Sequence, residues 1–125
     1  MPAKSLFSII ESPTHPYNST LYRGLEINEL CFKSMRRLIS KIKSEQPDYI
    51  AAEFFYGYGN NYAGINISNL DVMLYSLQRY SPKTKVIVFV DKEERKYVDK
   101  LNDILPLHAV FVKPIDKVKL IEALR

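Results

Sequence analysis

Cysteine, histidine and tryptophan are almost missing from this 125-residue chain, which has one, two and none of them respectively. With Cys31 alone, no internal disulfide can form, and the chain suits a reducing compartment. No pattern of Cys or His surrounds Cys31, so it is expected to be a buried structural thiol. His15 and His108 are isolated, which leaves no metal-ligand cluster and no Ser-His-Asp or Cys-His pairing for nucleophilic catalysis. Glycine is also scarce. Gly57-x-Gly59 lacks the third glycine of a dinucleotide fingerprint. No apolar run reaches the length of a membrane span, and the N-terminus has no apolar stretch of secretory length. No membrane partner and a cytoplasmic location are the expectations. Nor does one sign of charge dominate: 18 Lys and Arg against 14 Asp and Glu give +4 and a pI near 9.1. The cations read as dispersed. Their densest run, Arg36 to Lys43, reads as the solvated face of a helix and not as a nucleic-acid patch.

What is present is a globular composition, 46% hydrophobic and 26% charged, long enough for one domain over residues 1–125 with a substantial core. Four short apolar runs each stop on a charged residue. Leu6-Phe7-Ser8-Ile9-Ile10 stops on Glu11, and Tyr49-Ile50-Ala51-Ala52 on Glu53. Val86-Ile87-Val88-Phe89-Val90 stops on Asp91, and Ala109-Val110-Phe111-Val112 on Lys113. Near-continuous apolar runs suit strands buried on both faces of a parallel sheet. A fifth candidate, Leu25 to Leu30, alternates apolar and polar as an edge strand does.

Helical spacing separates the runs. Met35, Leu38, Ile39 and Ile42 follow Ser34, a good N-cap residue, and Pro47 ends that helix near Gln46. Leu70, Met73, Leu74 and Leu77 follow Ser68 and Asp71, a capping pair. Asp91 and Glu94 open a helix through Val98, Leu101, Ile104 and Leu105, with Asp91 read as its cap. Asp116 opens a last helix through Val118, Leu120, Ile121 and Leu124. Pro13 and Pro16 leave room for only a short helix before Arg23. Strands alternating with helices predict right-handed βαβ units. The fold class expected is α/β, a flavodoxin-like doubly wound five-stranded parallel sheet of order 2-1-3-4-5 with helices on both faces.

In such a sheet the carboxyl ends of the strands line the functional crevice, so Glu11, Glu53 and Lys113 should meet there. The Pro47-Asp48 opening of the strand that ends on Glu53, and the Lys113-Pro114 ending followed by Asp116-Lys117-Val118-Lys119-Leu120, resemble the receiver domain of bacterial two-component response regulators. The resemblance covers nearly the whole chain. It implies a pocket in which an acidic pair ends the first strand and binds Mg²⁺ with a phosphorylated Asp. A Ser or Thr ending the fourth strand binds the phosphoryl oxygens, and a Lys pairs with its charge. It also implies a cytoplasmic signalling protein whose partner is another protein of its pathway.

The sequence departs from that pattern in three places. The acidic pair is Glu11 followed by Ser12, the phospho-acceptor position is Glu53, and the switch hydroxyl position is Val90, which has no hydrogen-bonding group. Lys113 alone stands as the family has it. The resemblance therefore implies a pseudo-receiver: a non-enzymatic, phosphorylation-independent interaction module with no cofactor, weak Mg²⁺ binding at Glu11 and Glu53 being the exception to consider. Glu53 reads either as a fixed mimic of the phosphorylated state or as a structural ion pair with Lys113. The alternative readings are a divergent phospho-accepting regulator and a small-ligand or flavin binder.

After Glu53 comes Phe54-Phe55-Tyr56-Gly57-Tyr58-Gly59-Asn60-Asn61-Tyr62-Ala63-Gly64, dense in aromatic residues. Tyr56, Tyr58 and Tyr62 are candidates for partner contact, since exposed Tyr is enriched at interfaces. The other reading has Phe54 and Phe55 completing the core and the tyrosines covering the pocket. In the family, the face of the fourth helix, fifth strand and fifth helix carries partner or homodimer contacts. Here that resemblance points to Lys96, Tyr97, Lys100, Asn102, Asp103, Lys113 and Lys117, with the switch aromatic near Val110 or Phe111.

Overall fold

The computed structural model describes residues 4–11, 18–57 and 68–125. The elements run β1 (Lys4–Ile9), α1 (Ser19–Gly24), β2 (Ile27–Phe32), α2 (Met35–Ser44), β3 (Tyr49–Glu53), α3 (Asp71–Tyr80), β4 (Lys85–Val90), α4 (Arg95–Val98), β5 (Ala109–Val112) and α5 (Lys117–Ala123). All strand pairs are parallel and the order is β2-β1-β3-β4-β5, the doubly wound order expected from the sequence.

Strand alternation divides the core in two. Phe7, Ile9, Ile50, Ala52, Val86, Val88 and Val90 point to the side covered by α2, α3 and α4. There they pack with Leu38, Ile42, Met73, Leu74, Leu77, Val98 and Leu101. Leu6, Tyr49, Ala51, Ile87 and Phe89 point the other way, against Tyr22 of α1 and Leu120 and Leu124 of α5. β3 and β4 lie inside the sheet with both faces covered, which is why their sequences are apolar without a break.

The helix ends follow local chemistry. The Ser34 hydroxyl accepts from the Arg37 N–H at 3.4 Å, and Asp116 accepts from the N–H groups of Val118 and Lys119. At the start of α3, Asp71 Oδ1 accepts from both the N–H (2.8 Å) and the hydroxyl (2.9 Å) of Ser68, whose Oγ accepts from the Leu70 N–H.

Two expectations are corrected. Cys31 is exposed, not buried, because β2 is an outer strand and its register places Cys31 beside Ser8 near the open edge. Desolvation still pushes its thiol above the ordinary value, with a hydrogen bond from Ser8 opposing and Glu29 adding. The helix expected to run from Asp91 to Leu105 is a single α turn, Arg95–Val98, between 3-10 turns at Lys92–Glu94 and Asp99–Asp103. Its buried residues Val98, Leu101 and Ile104 recur every third position, a spacing that a 3-10 turn satisfies as well as an α-helix. His108, isolated in the sequence, places Nε2 2.7 Å from the Ala123 carbonyl and so ties the approach to β5 onto α5.

Candidate functional site

At the carboxyl end of the sheet, Glu53 is the last residue of β3 and its side chain is fully buried. Its two carboxylate oxygens have different partners. Oε1 accepts the backbone N–H of Glu11 at 2.7 Å, just past the end of β1. Oε2 accepts from the Lys113 ammonium at 2.7 Å, just past the end of β5. The central strand is thus clamped to segments following β1 and β5. Lys113 is held there by its own N–H, which donates to the Val90 carbonyl at 3.0 Å. Its Nζ also lies 5.9 Å from the centre of the Phe55 ring, a cation–π contact.

The crevice holds two more carboxylates. Glu11 is exposed, and its carboxyl is pushed above the usual range, first by desolvation and then by the neighbouring charge of Glu53. Asp91, expected to cap a helix, makes no side-chain cap bond. Its Oδ1 instead lies 3.7 Å from the Lys113 Nζ, a second and more exposed partner for that cation. A 3-10 turn follows β4 directly, and Lys113 offers the Asp91 carboxylate a full charge across the crevice. Val90 is completely buried and its side chain belongs to the core under α2, α3 and α4. Ser12, Tyr58, Tyr62 and His15 lie outside the described residues.

The chain leaves β3 along a braced path. The Phe54 N–H continues the ladder onto the Phe89 carbonyl at 2.8 Å, and Phe54 is buried while Phe55 is half-buried. Asn69 then grips both sides: its Nδ2 donates to the Glu53 carbonyl at 2.8 Å and its Oδ1 accepts from the Phe55 N–H at 2.7 Å. Tyr56 and Ser68 form an antiparallel bridge. The Tyr56 N–H donates to Glu94 Oε1 at 3.1 Å, and its ring stacks on Tyr97 with centroids 3.7 Å apart. The crevice is thereby tied through Tyr56 to α4. Gly57 follows with φ +68°, a conformation costly for any residue with a Cβ.

The structure therefore brings Glu11, Glu53 and Lys113 together, adds Asp91 to them, and keeps the Val90 side chain in the core. Sequence reasoning missed Asn69 and Glu94. Asn69 lies inside the Ser68 to Asp71 capping pair, where an extra polar residue that can bond the backbone is a readable signal. Glu94 carries no such signal, because its partner Tyr56 is distant in sequence. On the face of α4, β5 and α5, Val112 and Val118 are exposed. Phe111 is half-buried and faces Phe89 at 6.2 Å. Among the described residues no group of three acidic, His or Cys side chains is arranged to hold a metal ion, and no helix is long and apolar enough to cross a membrane.

No family model matches the chain, and no curated protein does. Among solved structures, the chain is similar to the signal receiver domain of an HD domain-containing protein from Pseudomonas fluorescens Pf-5, with TM-score 0.71 and 13% identity over 99% of this chain and 93% of that one. A chemotaxis response regulator of Vibrio cholerae matches with TM-score 0.69 and 11% identity, covering 98% of this chain and 97% of that one. A response regulator of Burkholderia pseudomallei, solved with a phosphorylated aspartic acid, a calcium ion and citrate, matches with TM-score 0.69 and 17% identity over 98% of this chain and 66% of that one. The fold is that of the response-regulator receiver domain.

Proposed function

We propose that the chain is a pseudo-receiver, a non-enzymatic module of two-component-type signalling that binds a protein partner without being phosphorylated. The observation that carries this reading is the occupied state of the Glu53 carboxylate. Its oxygens are bonded at 2.7 Å to the Lys113 ammonium and at 2.7 Å to the Glu11 N–H. The longer side chain of Glu puts a permanent negative charge against the lysine that, in the family, answers the phosphoryl group. The charge pair that phosphorylation creates is thus built into the resting chain.

The residues present do not suit the divalent cation of the family. One carboxylate, Glu11, follows β1, and an ammonium lies 2.7 Å from Glu53 Oε2 where a cation would need to approach. Bringing Mg²⁺ in means displacing Lys113 from a buried carboxylate and dehydrating an ion that gives up water reluctantly.

Output in this reading runs through Tyr56. Its stack on Tyr97 and bond to Glu94 connect the fixed crevice to α4, next to the face of Lys96, Lys100, Val112, Lys117 and Val118. A signalling partner, or a second copy, docks on that face with Tyr56 at its rim. The test is an amide NMR titration with Mg²⁺ and then with beryllofluoride, a phosphoryl mimic. The expected result is no saturable shift at Glu11, Glu53, Val90 or Lys113. Saturable shifts there that spread into α4 and β5 would replace this reading with a working, divergent phospho-acceptor.

A further inference from the structure

The positive charge, read from the sequence as dispersed, is concentrated in two segments of the chain. Residues 33–48 carry five Lys or Arg against two carboxylates, and residues 79–85 carry three against none. Apart from these segments and Lys4, the chain has nine cations and twelve carboxylates, so it is net acidic. Part of this charge surrounds a cleft of about 390 Å³ at the amino end of the sheet, opposite the Glu53 crevice, lined by Lys4, Asp48, Tyr49, Lys83, Thr84 and Lys85 among others.

Lys4, Lys83 and Lys85 are exposed, and two of them lie over one ring. Lys4 Nζ lies 3.4 Å from the Tyr49 hydroxyl and 5.6 Å from its ring centre, and Lys85 Nζ lies 6.0 Å from the same ring. Two ammonium groups thus converge on one buried phenol, and Lys83 on the turn before β4 adds a third to the cleft wall. Farther out, Lys43 and Arg79 both lie over the Tyr80 ring at the ends of α2 and α3 and extend the positive field. The carboxylate in the cleft, Asp48, does not neutralise this group, and its Oδ2 already accepts the Ser5 N–H at 2.8 Å. Like charges held together repel one another, and a polyanion relieves that repulsion.

The rest of the lining narrows the ligand. Thr84 Oγ1 donates to the Pro47 carbonyl at 2.8 Å and pairs with the Ser81 hydroxyl at 2.6 Å, and the Gln46 amide donates to the Ile42 carbonyl. These hydroxyls and this amide are already engaged within the protein. The Tyr49 ring is buried and offers no face on which a base could stack. The ammonium groups of Lys4, Lys83 and Lys85 remain, and lysine binds phosphate as a point charge. We propose that this cleft binds a short linear phosphate chain, reading charge density and not an attached base or sugar. The site is independent of the Glu53 crevice and of the function proposed for it.

The test is calorimetric titration at low salt of the whole chain with inorganic tripolyphosphate and, separately, with a nucleoside triphosphate. Saturable binding of one equivalent is expected, with the two ligands agreeing within about threefold because the base adds nothing. Lys83→Ala should weaken binding about tenfold, and Lys83→Ala/Lys85→Ala more than that, with unchanged thermal melting. Lys92→Ala/Lys119→Ala, which removes two exposed lysines elsewhere, should leave affinity as it is. Absence of saturable binding, an equal loss in the Lys92/Lys119 variant, or a nucleoside triphosphate that binds far more tightly than tripolyphosphate would each overturn the proposal.

Discussion

Removing Lys113 should damage the fold far more than neutralising Glu53, although both changes break the same ion pair. The asymmetry comes from burial: the Glu53 side chain has no solvent exposure, whereas that of Lys113 is 20% exposed. In Lys113→Met the aliphatic stem is kept, but a buried carboxylate loses its counter-charge and retains the Glu11 N–H. Leaving one partner of a buried pair uncompensated costs about 3–5 kcal/mol. In Glu53→Gln the carboxamide oxygen still accepts from Glu11. The freed ammonium can turn to Asp91, already 3.7 Å away, or to water. That change should cost about 1.5 kcal/mol, the value of one charge-assisted hydrogen bond. The double variant removes both charges and should cost less than the two single changes added together, by about 1–3 kcal/mol. Urea denaturation at pH 7, with equal m-values across the set, measures all three. If Lys113→Met lies within about 1 kcal/mol of the parent chain, or Glu53→Gln proves the more damaging, the pair is not the buried clamp described above.

Other expectations follow from single contacts. Gly57→Ala places a Cβ at φ +68° and should cost about 1 kcal/mol in the same assay. Thr84→Val keeps the shape but withdraws the hydroxyl that serves the buried Pro47 carbonyl and Ser81, and should cost about 1–3 kcal/mol. Tyr97→Ala removes the stack on Tyr56 and should raise hydrogen-exchange rates at the Tyr56 amide. The carboxyl of Glu11 is raised in the folded chain, so it binds protons more readily there than in the unfolded chain. Its contribution to stability is full below the unfolded pKa and is lost as pH rises through the folded value. Glu11→Gln should therefore stabilise the chain at pH 7, by a few tenths of a kcal/mol after solvent screening, with the gain vanishing at pH values below the ordinary carboxylate range. Paired melts at neutral and acid pH test this sign.

The sheet was legible because its inner strands are buried on both faces. Tyr49 to Ala52 and Val86 to Val90 contain no polar residue, and a run of that length between helical patterns has few other homes. The meeting of Glu11, Glu53 and Lys113 was legible too, because each ends or follows a strand and parallel strands bring those ends together. Local spacing was a weaker guide elsewhere. Val98, Leu101 and Ile104 repeat every third residue, a spacing read as a helix that a chain of 3-10 turns satisfies equally well. Asp91 looked like a cap because Asp often is one, but its partner Lys113 is set by tertiary packing. Cys31 was misplaced because thiols are usually buried, whereas the outer position of β2 leaves one side of that strand without a neighbour. The amino-end lysines looked scattered along the chain. The strand starts of β1 and β4 bring Lys4, Lys83 and Lys85 to one cleft.

As a pseudo-receiver, the chain should keep its crevice closed by Glu53 and Lys113 and take no phosphoryl group. The most direct measurement is intact-mass analysis after incubation with Mg²⁺ and a small phosphoryl donor such as acetyl phosphate. An unchanged mass at all times is expected. A stoichiometric, Mg²⁺-dependent gain of one phosphoryl group mapping to Glu11, Glu53 or Asp91 would contradict it.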